Sequence, residues 1–282
     1  MTETVDSTTR LRTLAVVGTG MMGTSLGLAV RGTVRTYLID IDHDAAMAAE
    51  SLGAGVAGTP PEPVDLAVLA VPPRTIAPVL AEQQARGLAY HYTDVGSVKG
   101  WPLAEAEAIG CDLGNYVGGH PIAGSERSGP MAASEHLFRD RIWVLTPQSI
   151  TSSTTMESVT ELVRLCGARP MVMAPSDHDR AIARSSHVPH LLASILAASI
   201  HGAGEDVIRL CGSGIRDTTR IAAGDSMLWT DILQANSEEV AKALTEVAAD
   251  LFTASRALSS GSVELTELLR RGNAGRATLM AS

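Results

Sequence analysis

The sequence predicts a doubly wound, mostly parallel α/β sheet followed by an all-helical segment. Three observations carry that expectation. Short β-type runs alternate with helical patterns over the first 175 residues, and the clearest of those runs, Leu66–Val71, is continuously apolar rather than alternating. Strands buried on both faces read this way in parallel sheets covered by helices. From Ser176 onward the β-type runs cease. The chain has 282 residues, and at roughly 100–200 residues per domain it divides in two: 10–175 carrying the sheet and 176–282 the helices. A chain this long buries about three quarters of its unfolded surface and needs no staple.

Thr13–Val17 reads as the first strand and Met21–Arg31 as a Leu- and Ala-rich helix. Thr36–Ile39 is the next strand, and Asp44–Leu52 a helix stopped at Gly53. Leu66–Val71 is a continuous apolar strand ended by Pro72-Pro73, with a helical stretch to Arg86. Ala89–Thr93 leads into Asp94-Val95-Gly96-Ser97 and a helix over Lys99–Ile109, whereas the segment around His120 reads as a loop at the sheet edge. Arg141–Leu145 and Arg169–Met173 flank a helix around Met156–Cys166. Ser176 with Asp179 resembles a capping box opening an apolar helix to Ile200. Glu205–Cys211, Met227–Gln234, Glu238–Leu258 and Val263–Arg271 extend the helical pattern, and Arg270–Ser282 reads as a solvated basic end. Helices so rich in Ala and Leu lead us to expect a homodimer.

Composition narrows the function. Lys and Arg number 22 against 31 Asp and Glu, a net charge of -9, which argues against binding a phosphate backbone. Aromatics are 3% of residues, too few for a base-stacking platform. Three separated cysteines without a C-x-x-C fit a reducing compartment. No signal-peptide pattern opens the chain, and the apolar run Leu191–Ile200 is well short of a membrane span. A cytoplasmic protein acting on a small molecule is the expectation.

Leu14-Ala15-Val16-Val17-Gly18-Thr19-Gly20-Met21-Met22-Gly23 runs a strand directly into G-x-G-x-x-G and then a helix. Gly18 allows the tight turn, Gly20 lets a pyrophosphate approach the backbone, and Gly23 lets helix and strand pack closely. The helix N-terminus, at Met21 and Met22, offers N–H groups to the phosphates. Asp40 ends the next strand, where a carboxylate accepts from a ribose 2′-hydroxyl and repels a 2′-phosphate, so this Rossmann-like unit favours NAD. Ligands in such sheets bind outside the carboxyl ends of the strands. Those ends place Val71 and Pro72 beside the cofactor, and bring Ser97 and the Gly118–Glu126 segment to one edge. His120, between glycines and a proline, is the strongest candidate base. His187 and His190 with Asp179 lack the further ligand a metal site requires, and no metal is expected.

These motifs resemble the prephenate/arogenate dehydrogenases of tyrosine biosynthesis. The resemblance rests on the glycine fingerprint with Asp40, on Asp94-Val95-Gly96-Ser97-Val98-Lys99, and on His120-Pro121-Ile122-Ala123-Gly124-Ser125-Glu126. Trp143-Val144-Leu145-Thr146-Pro147, Asp177-His178-Asp179-Arg180, Ser186-His187-Val188-Pro189-His190-Leu191 and Arg216-Asp217-Thr218-Thr219-Arg220-Ile221-Ala222 follow in order. It covers about residues 12–260, without a fused mutase segment or a C-terminal regulatory domain. It implies hydride transfer to NAD from ring position 4 of a cyclohexadiene acid, with loss of CO2 and aromatisation. His120 then acts as base and Ser97 orients the same hydroxyl. Arg220 grips the ring carboxylate, His190 lies on the substrate side, and Ser125 and Glu126 border the substrate entrance. The role of His187 stays open, and His178 with Asp179 is expected in an inter-domain or dimer network. A 4-amino-4-deoxyprephenate dehydrogenase keeps the scaffold with a different substrate. A two-domain hydroxyacid dehydrogenase would want a lysine near residue 176, and an NAD-sensing protein would need only the cofactor half.

Overall fold

The computed structural model describes residues 11–124, 127–260 and 263–281. Eight strands form one sheet: β1 (Thr13–Val17), β2 (Arg35–Ile39), β3 (Val56–Ala57), β4 (Val64–Leu69), β5 (Ala89–Asp94), β6 (Tyr116–Pro121), β7 (Ile142–Thr146) and β8 (Arg169–Val172). Their order is β3-β2-β1-β4-β5-β6-β7-β8, and every neighbouring pair is parallel except β6 with β7. The chain winds one way through β1, β2 and β3 and the other way from β4, so β1 and β4 flank the switch point where such sheets bind ligands. Around the sheet lie α1 (Met21–Ala29), α2 (His43–Ser51), α3 (Ile76–Ala85), α4 (Gly100–Ile109) and α5 (Ser153–Leu165). Both faces are packed: Leu14, Val16, Leu66 and Val68 bury on one side, Ala15, Ala67 and Leu69 on the other. This two-sided burial is why those strands read as unbroken apolar runs.

The helical part comprises α6 (Pro175–Ile182), α7 (Val188–Ile200), α8 (Glu205–Arg209), α9 (Ser213–Thr219), α10 (Ser226–Ala235), α11 (Ser237–Ser260) and α12 (Val263–Ala281). A five-residue π-helical stretch, Ala183–His187, joins α6 to α7. Pro189 has no N–H for the carbonyl four residues back, and widening the turn is one way a helix absorbs that loss. The chain divides into two compact units, Met1–Asn236 and Ser237–Ser282. The first joins the sheet to the helices through α10, so compactness breaks later than the change in secondary structure at residue 175. Among the described residues no helix is long and apolar enough to cross a membrane.

Several local expectations are corrected. His120 stands in strand β6, not in a loop, and pairs with Val144 of β7. Gly118 and Gly119 permit this crowding: a Cβ on Gly119 would lie 2.5 Å from the Asp94 carbonyl oxygen, and one on Gly118 2.6 Å from Thr146 Oγ1. Ser176 caps nothing, because α6 starts at Pro175 behind an Ala174 that offers no side-chain cap. The C-terminal tail is helical through Ala281. Strand β8 is exposed along its whole length, as an edge strand can be.

Candidate active site

At the switch point β1 turns through Gly18, whose φ of +100° suits only glycine. A Cβ there would stand 2.3 Å from the Ala70 carbonyl oxygen, just after β4. A Cβ on Gly23 would meet Gly18 O at 1.9 Å, so α1 packs directly on the turn it leaves. Gly20 differs, having no atom within 4 Å of its missing side chain. It is also the N-cap of α1 and provides no side-chain cap. An open approach to the helix N-terminus at Met21 and Met22 is what a bound pyrophosphate requires. Asp40 Oδ2 accepts from Thr19 N at 2.5 Å and Thr19 Oγ1 at 2.8 Å, and Oδ1 accepts from Asp42 N at 2.9 Å. These bonds fix the carboxylate beside the glycine turn and leave lone pairs for a ribose hydroxyl. Half-buried Val71 and exposed Pro72 continue the same rim from β4. The residues therefore fit a dinucleotide.

Further along the carboxyl edge, a buried ion pair organises the chemistry. Asp94 ends β5, and its Oδ1 accepts from Gly96 N at 2.7 Å and from the Lys99 ammonium. Its Oδ2 accepts from Tyr116 Oη at 2.6 Å and from Gly119 N at 3.3 Å. Lys99 Nζ also donates to the Gly119 carbonyl at 2.6 Å. One carboxylate and one ammonium thus lash the turn carrying Ser97 to the strand carrying His120. Both are fully buried, which is tolerable because the carboxylate accepts from four donors and the ammonium donates to both the carboxylate and a carbonyl. Ser97 Oγ is buried with no hydrogen-bond partner among the described residues. It caps no helix, because α4 begins after Lys99. An unpaired buried hydroxyl costs stability unless a ligand completes it.

His120 Nδ1 lies 2.8 Å from His178 Nε2, and His178 Nδ1 lies 2.7 Å from Asp179 Oδ1. Asp179 also accepts from Lys99 N at 2.9 Å and Gly100 N at 2.7 Å. It therefore caps α4 from a helix 80 residues away in sequence. The His120 pKa is driven well below that of free imidazole, first by burial and then by its neighbours His178, Lys99 and His187, which disfavour a second positive charge among them. The ring is therefore an unprotonated base at neutral pH.

His187 is fully buried, with Nδ1 3.1 Å from Asn236 Nδ2. That amide also donates to the Asp179 carbonyl at 2.9 Å, which fixes its orientation. His190 stacks on Trp229 with ring centroids 3.5 Å apart, and burial lowers its pKa. His190 Nδ1 and His187 Nε2 are buried without partners among the described residues. Arg220 is exposed and opens a short 3-10 turn, Arg220–Ala223, packed against α7. Gly224 closes that turn so tightly that a Cβ would lie 3.3 Å from His190 Cε1. The Ser125 and Glu126 assignments lie outside the described residues. No group of three metal-binding side chains occurs among the described residues.

Two family models match this chain in succession: "Prephenate dehydrogenase, nucleotide-binding domain" over residues 26–172, and "Prephenate dehydrogenase, dimerization domain" over residues 174–271. The chain belongs to the prephenate dehydrogenase family. It is an NAD-dependent oxidoreductase. "Probable prephenate dehydrogenase NovF" of Streptomyces niveus is 44% identical over 86% of this chain and 67% of its own length. Prephenate dehydrogenase of Bacillus subtilis is 31% identical over 81% of this chain and 65% of its own, so the chain spans about two thirds of these relatives. The crystal structure of prephenate dehydrogenase from Aquifex aeolicus, in complex with hydroxyphenyl propionate and NAD+, superposes with a TM-score of 0.87. It is 28% identical, covering 97% of this chain and 100% of that one.

Within this prephenate dehydrogenase fold, sequence reasoning missed the bond between His120 and His178 and the organising role of Lys99 with Asp94. The expectation of a network at His178 and Asp179 holds only in that it ties α6 to the β5–α4 turn; its other end is His120. No local pattern announces such pairings, since the partners lie 58 and 80 residues apart. One usable signal was the buried-type lysine, a charge inside the apolar-flanked run Ser97-Val98-Lys99.

Proposed function

We propose that this chain oxidatively decarboxylates prephenate or arogenate, giving 4-hydroxyphenylpyruvate or tyrosine. The observation that carries this reading is a depressed-pKa histidine, His120, tied by the Asp94–Lys99 pair to a turn whose buried Ser97 hydroxyl lacks a partner. Bound NAD accepts the hydride from ring position 4. His120 takes or shares the proton of the 4-hydroxyl, and Ser97 Oγ completes its hydrogen bonding on that oxygen. The bond to the ring carboxylate breaks, CO2 leaves, and its electron pair stays in the ring as hydride departs. The borrowed proton returns to the phenolic oxygen. General-base help of this kind is worth typically about 10²–10⁴-fold. Gly18, Gly20, Met21, Met22, Gly23, Asp40, Val71 and Pro72 hold the cofactor. Arg220 anchors the ring carboxylate, and His190, held flat by Trp229, contacts the substrate from α7; Ser125 and Glu126 keep the substrate-entrance role that the family resemblance gives them.

The functional boundary falls at residues 175–176, with the helical part serving as substrate and dimerisation domain. A homodimer is supported by the family description and by exposed Leu251, Phe252 and Leu258 on α11 and Val263 and Leu269 on α12, since unpartnered apolar faces favour burial against a second copy. Light scattering on the purified chain tests it, and a monomer at micromolar concentration refutes it. The activity is tested by NADH formation with prephenate, arogenate and 4-amino-4-deoxyprephenate in parallel, each repeated with NADP. Turnover of either of the first two supports the reading and names the side chain. Preference for the amino substrate would keep the hydride step and overturn the substrate. Silence with all three despite NAD binding would overturn the activity.

A further inference from the structure

We propose that His178 and Asp179 form a proton relay that holds His120 as its Nδ1–H tautomer, leaving Nε2 open to receive the substrate's proton. The proposal rests on His120 being the base. The direction of each bond follows from what its neighbours allow. Asp179 accepts two backbone N–H groups, Lys99 N on Oδ1 and Gly100 N on Oδ2, so it is held as an acceptor and cannot turn away. The ring nitrogen 2.7 Å from Oδ1, His178 Nδ1, must then be the donor. An uncharged His178 protonated there has its lone pair on Nε2. His120 Nδ1, 2.8 Å away, donates to it. The lone pair of His120 is thereby forced onto Nε2, the nitrogen that the relay does not use. His178 is 1% exposed and Asp179 6%, so water does not compete for these bonds.

The same chain gives the arriving proton somewhere to go. The groups facing His120 are the Lys99 ammonium, bonded to the Gly119 carbonyl, His178 from α6 and His187 from the π-helical stretch, and of these the ammonium opposes a positive charge on its ring while the two imidazoles are neutral. As the substrate O–H breaks and the His120 Nε2–H forms, the His120 Nδ1–H can break and the His178 Nε2–H form. The charge then rests beside the Asp179 carboxylate. Reversal returns the proton to the phenolic oxygen, so the relay is neutral over a turnover. His178 and Asp179 are positioning residues here, since neither touches the substrate.

The test uses the full chain labelled with 15N-histidine, and His178→Gln beside His178→Phe. Glutamine places an amide oxygen opposite His120 Nδ1 and phenylalanine places nothing. Two-dimensional proton–nitrogen spectra, assigned with His120→Asn, report the tautomer without substrate. We expect the wild type and His178→Gln to carry the His120 proton on Nδ1, and His178→Phe to lose that preference. NAD affinity, read by tryptophan fluorescence, stays within about threefold in both. Turnover falls about tenfold in His178→Gln, which holds the tautomer but cannot take the proton, and about 10²-fold or more in His178→Phe, with KM changing far less than kcat. A wild-type spectrum with the proton on Nε2 overturns the relay, as does equal behaviour of the two variants. An Nδ1–H tautomer in a protein that turns over none of the substrates would uphold the hydrogen-bond chain that sets the tautomer and refute the proposed reaction, and with it the proton transfer that rests on it.

Discussion

Acid stability offers a direct test of the buried histidine cluster. His187 is fully buried, and its pKa is pushed down to about 4 from 6.5, with burial the largest cause. Asp179 pulls the other way, and His178 and His190 add to the lowering. Geometry points in the same direction, because a proton on Nδ1 would face the Asn236 amide donor. That amide cannot turn over without setting its oxygen against the Asp179 carbonyl. The unfolded chain thus binds a proton below pH 6.5 that the folded chain refuses until about pH 4. Stability from this residue is full above 6.5 and is lost as pH falls through that window. At about 1.36 kcal/mol per pH unit the loss is about 3 kcal/mol. The perturbation is His187→Asn, whose amide oxygen can still accept from Asn236 but cannot titrate. Urea unfolding followed by circular dichroism, at neutral pH and near pH 4, measures both proteins. His120, His190 and His91 also have lowered pKa values, but they contribute to both proteins and cancel, apart from the smallest of the His120 causes, which is His187 itself. Wild type should lose about 3 kcal/mol more than the variant on acidification. Equal losses would refute the assignment of a neutral, blocked imidazole at this position.

Gly23→Ala drives a Cβ into the Gly18 carbonyl, so the turn must move. It should cost about 3 kcal/mol by thermal or urea unfolding and weaken NAD binding in titration calorimetry. Lys99→Met leaves Asp94 buried and unpaired and should cost about 3–5 kcal/mol, with the double variant Asp94→Asn/Lys99→Met recovering part of it. A single variant as stable as wild type would deny the pair its structural role. Asp40→Asn removes the charge that repels a 2′-phosphate. NAD should bind about tenfold more weakly, and the ratio of NADP to NAD use should rise, measured as kcat/KM for each cofactor. His120→Asn should lose about 10²–10⁴-fold in kcat while NAD affinity holds, and wild-type turnover would remove His120 from the chemistry.

How much of this was legible depended on how local the cause is. The turn from β1 through Gly18, Gly20 and Gly23 to α1 is written in consecutive residues; Gly18 and Gly23 answer to contacts within a few residues or on the adjacent strand, and Gly20 to the open approach it leaves. Helix α2 is similar, with Asp42 capping it by accepting from Asp44 N and Ala45 N. Strand β6 was not legible. Tyr116-Val117-Gly118-Gly119-His120-Pro121 has two glycines and a proline, residues that weaken strands, and it is a strand because Asp94 and β7 crowd it on both sides. Helix α12 was read too short because Arg270, Arg271 and Arg276 suggested a solvated tail, whereas Arg270 pairs with Glu267 and Arg271 with Asp250 of α11. Site residues split the same way. Asp40 and Ser97 sit at strand ends that pattern alone can find. His178 gains its meaning only from a partner 58 residues away.

The site also shows why a base here needs so many charged neighbours in an otherwise apolar core. A histidine beside a buried ammonium stays unprotonated, but it then resists the charge it must carry when the hydroxyl proton arrives. Burial supplies most of the first effect, and Lys99, held by its bond to Gly119 O one residue before His120, adds to it. Asp179 answers the second from the opposite side through His178. The two carboxylates divide the work: Asp94 neutralises the lysine and ties β5 to β6, and Asp179 caps α4 and faces the imidazole pair. Because Asp179 binds the backbone of Lys99 itself, a shift of α6 would move the turn carrying Ser97 together with the relay. Base and hydroxyl would therefore keep their mutual placement through such a shift, which is the condition a single shared substrate oxygen imposes.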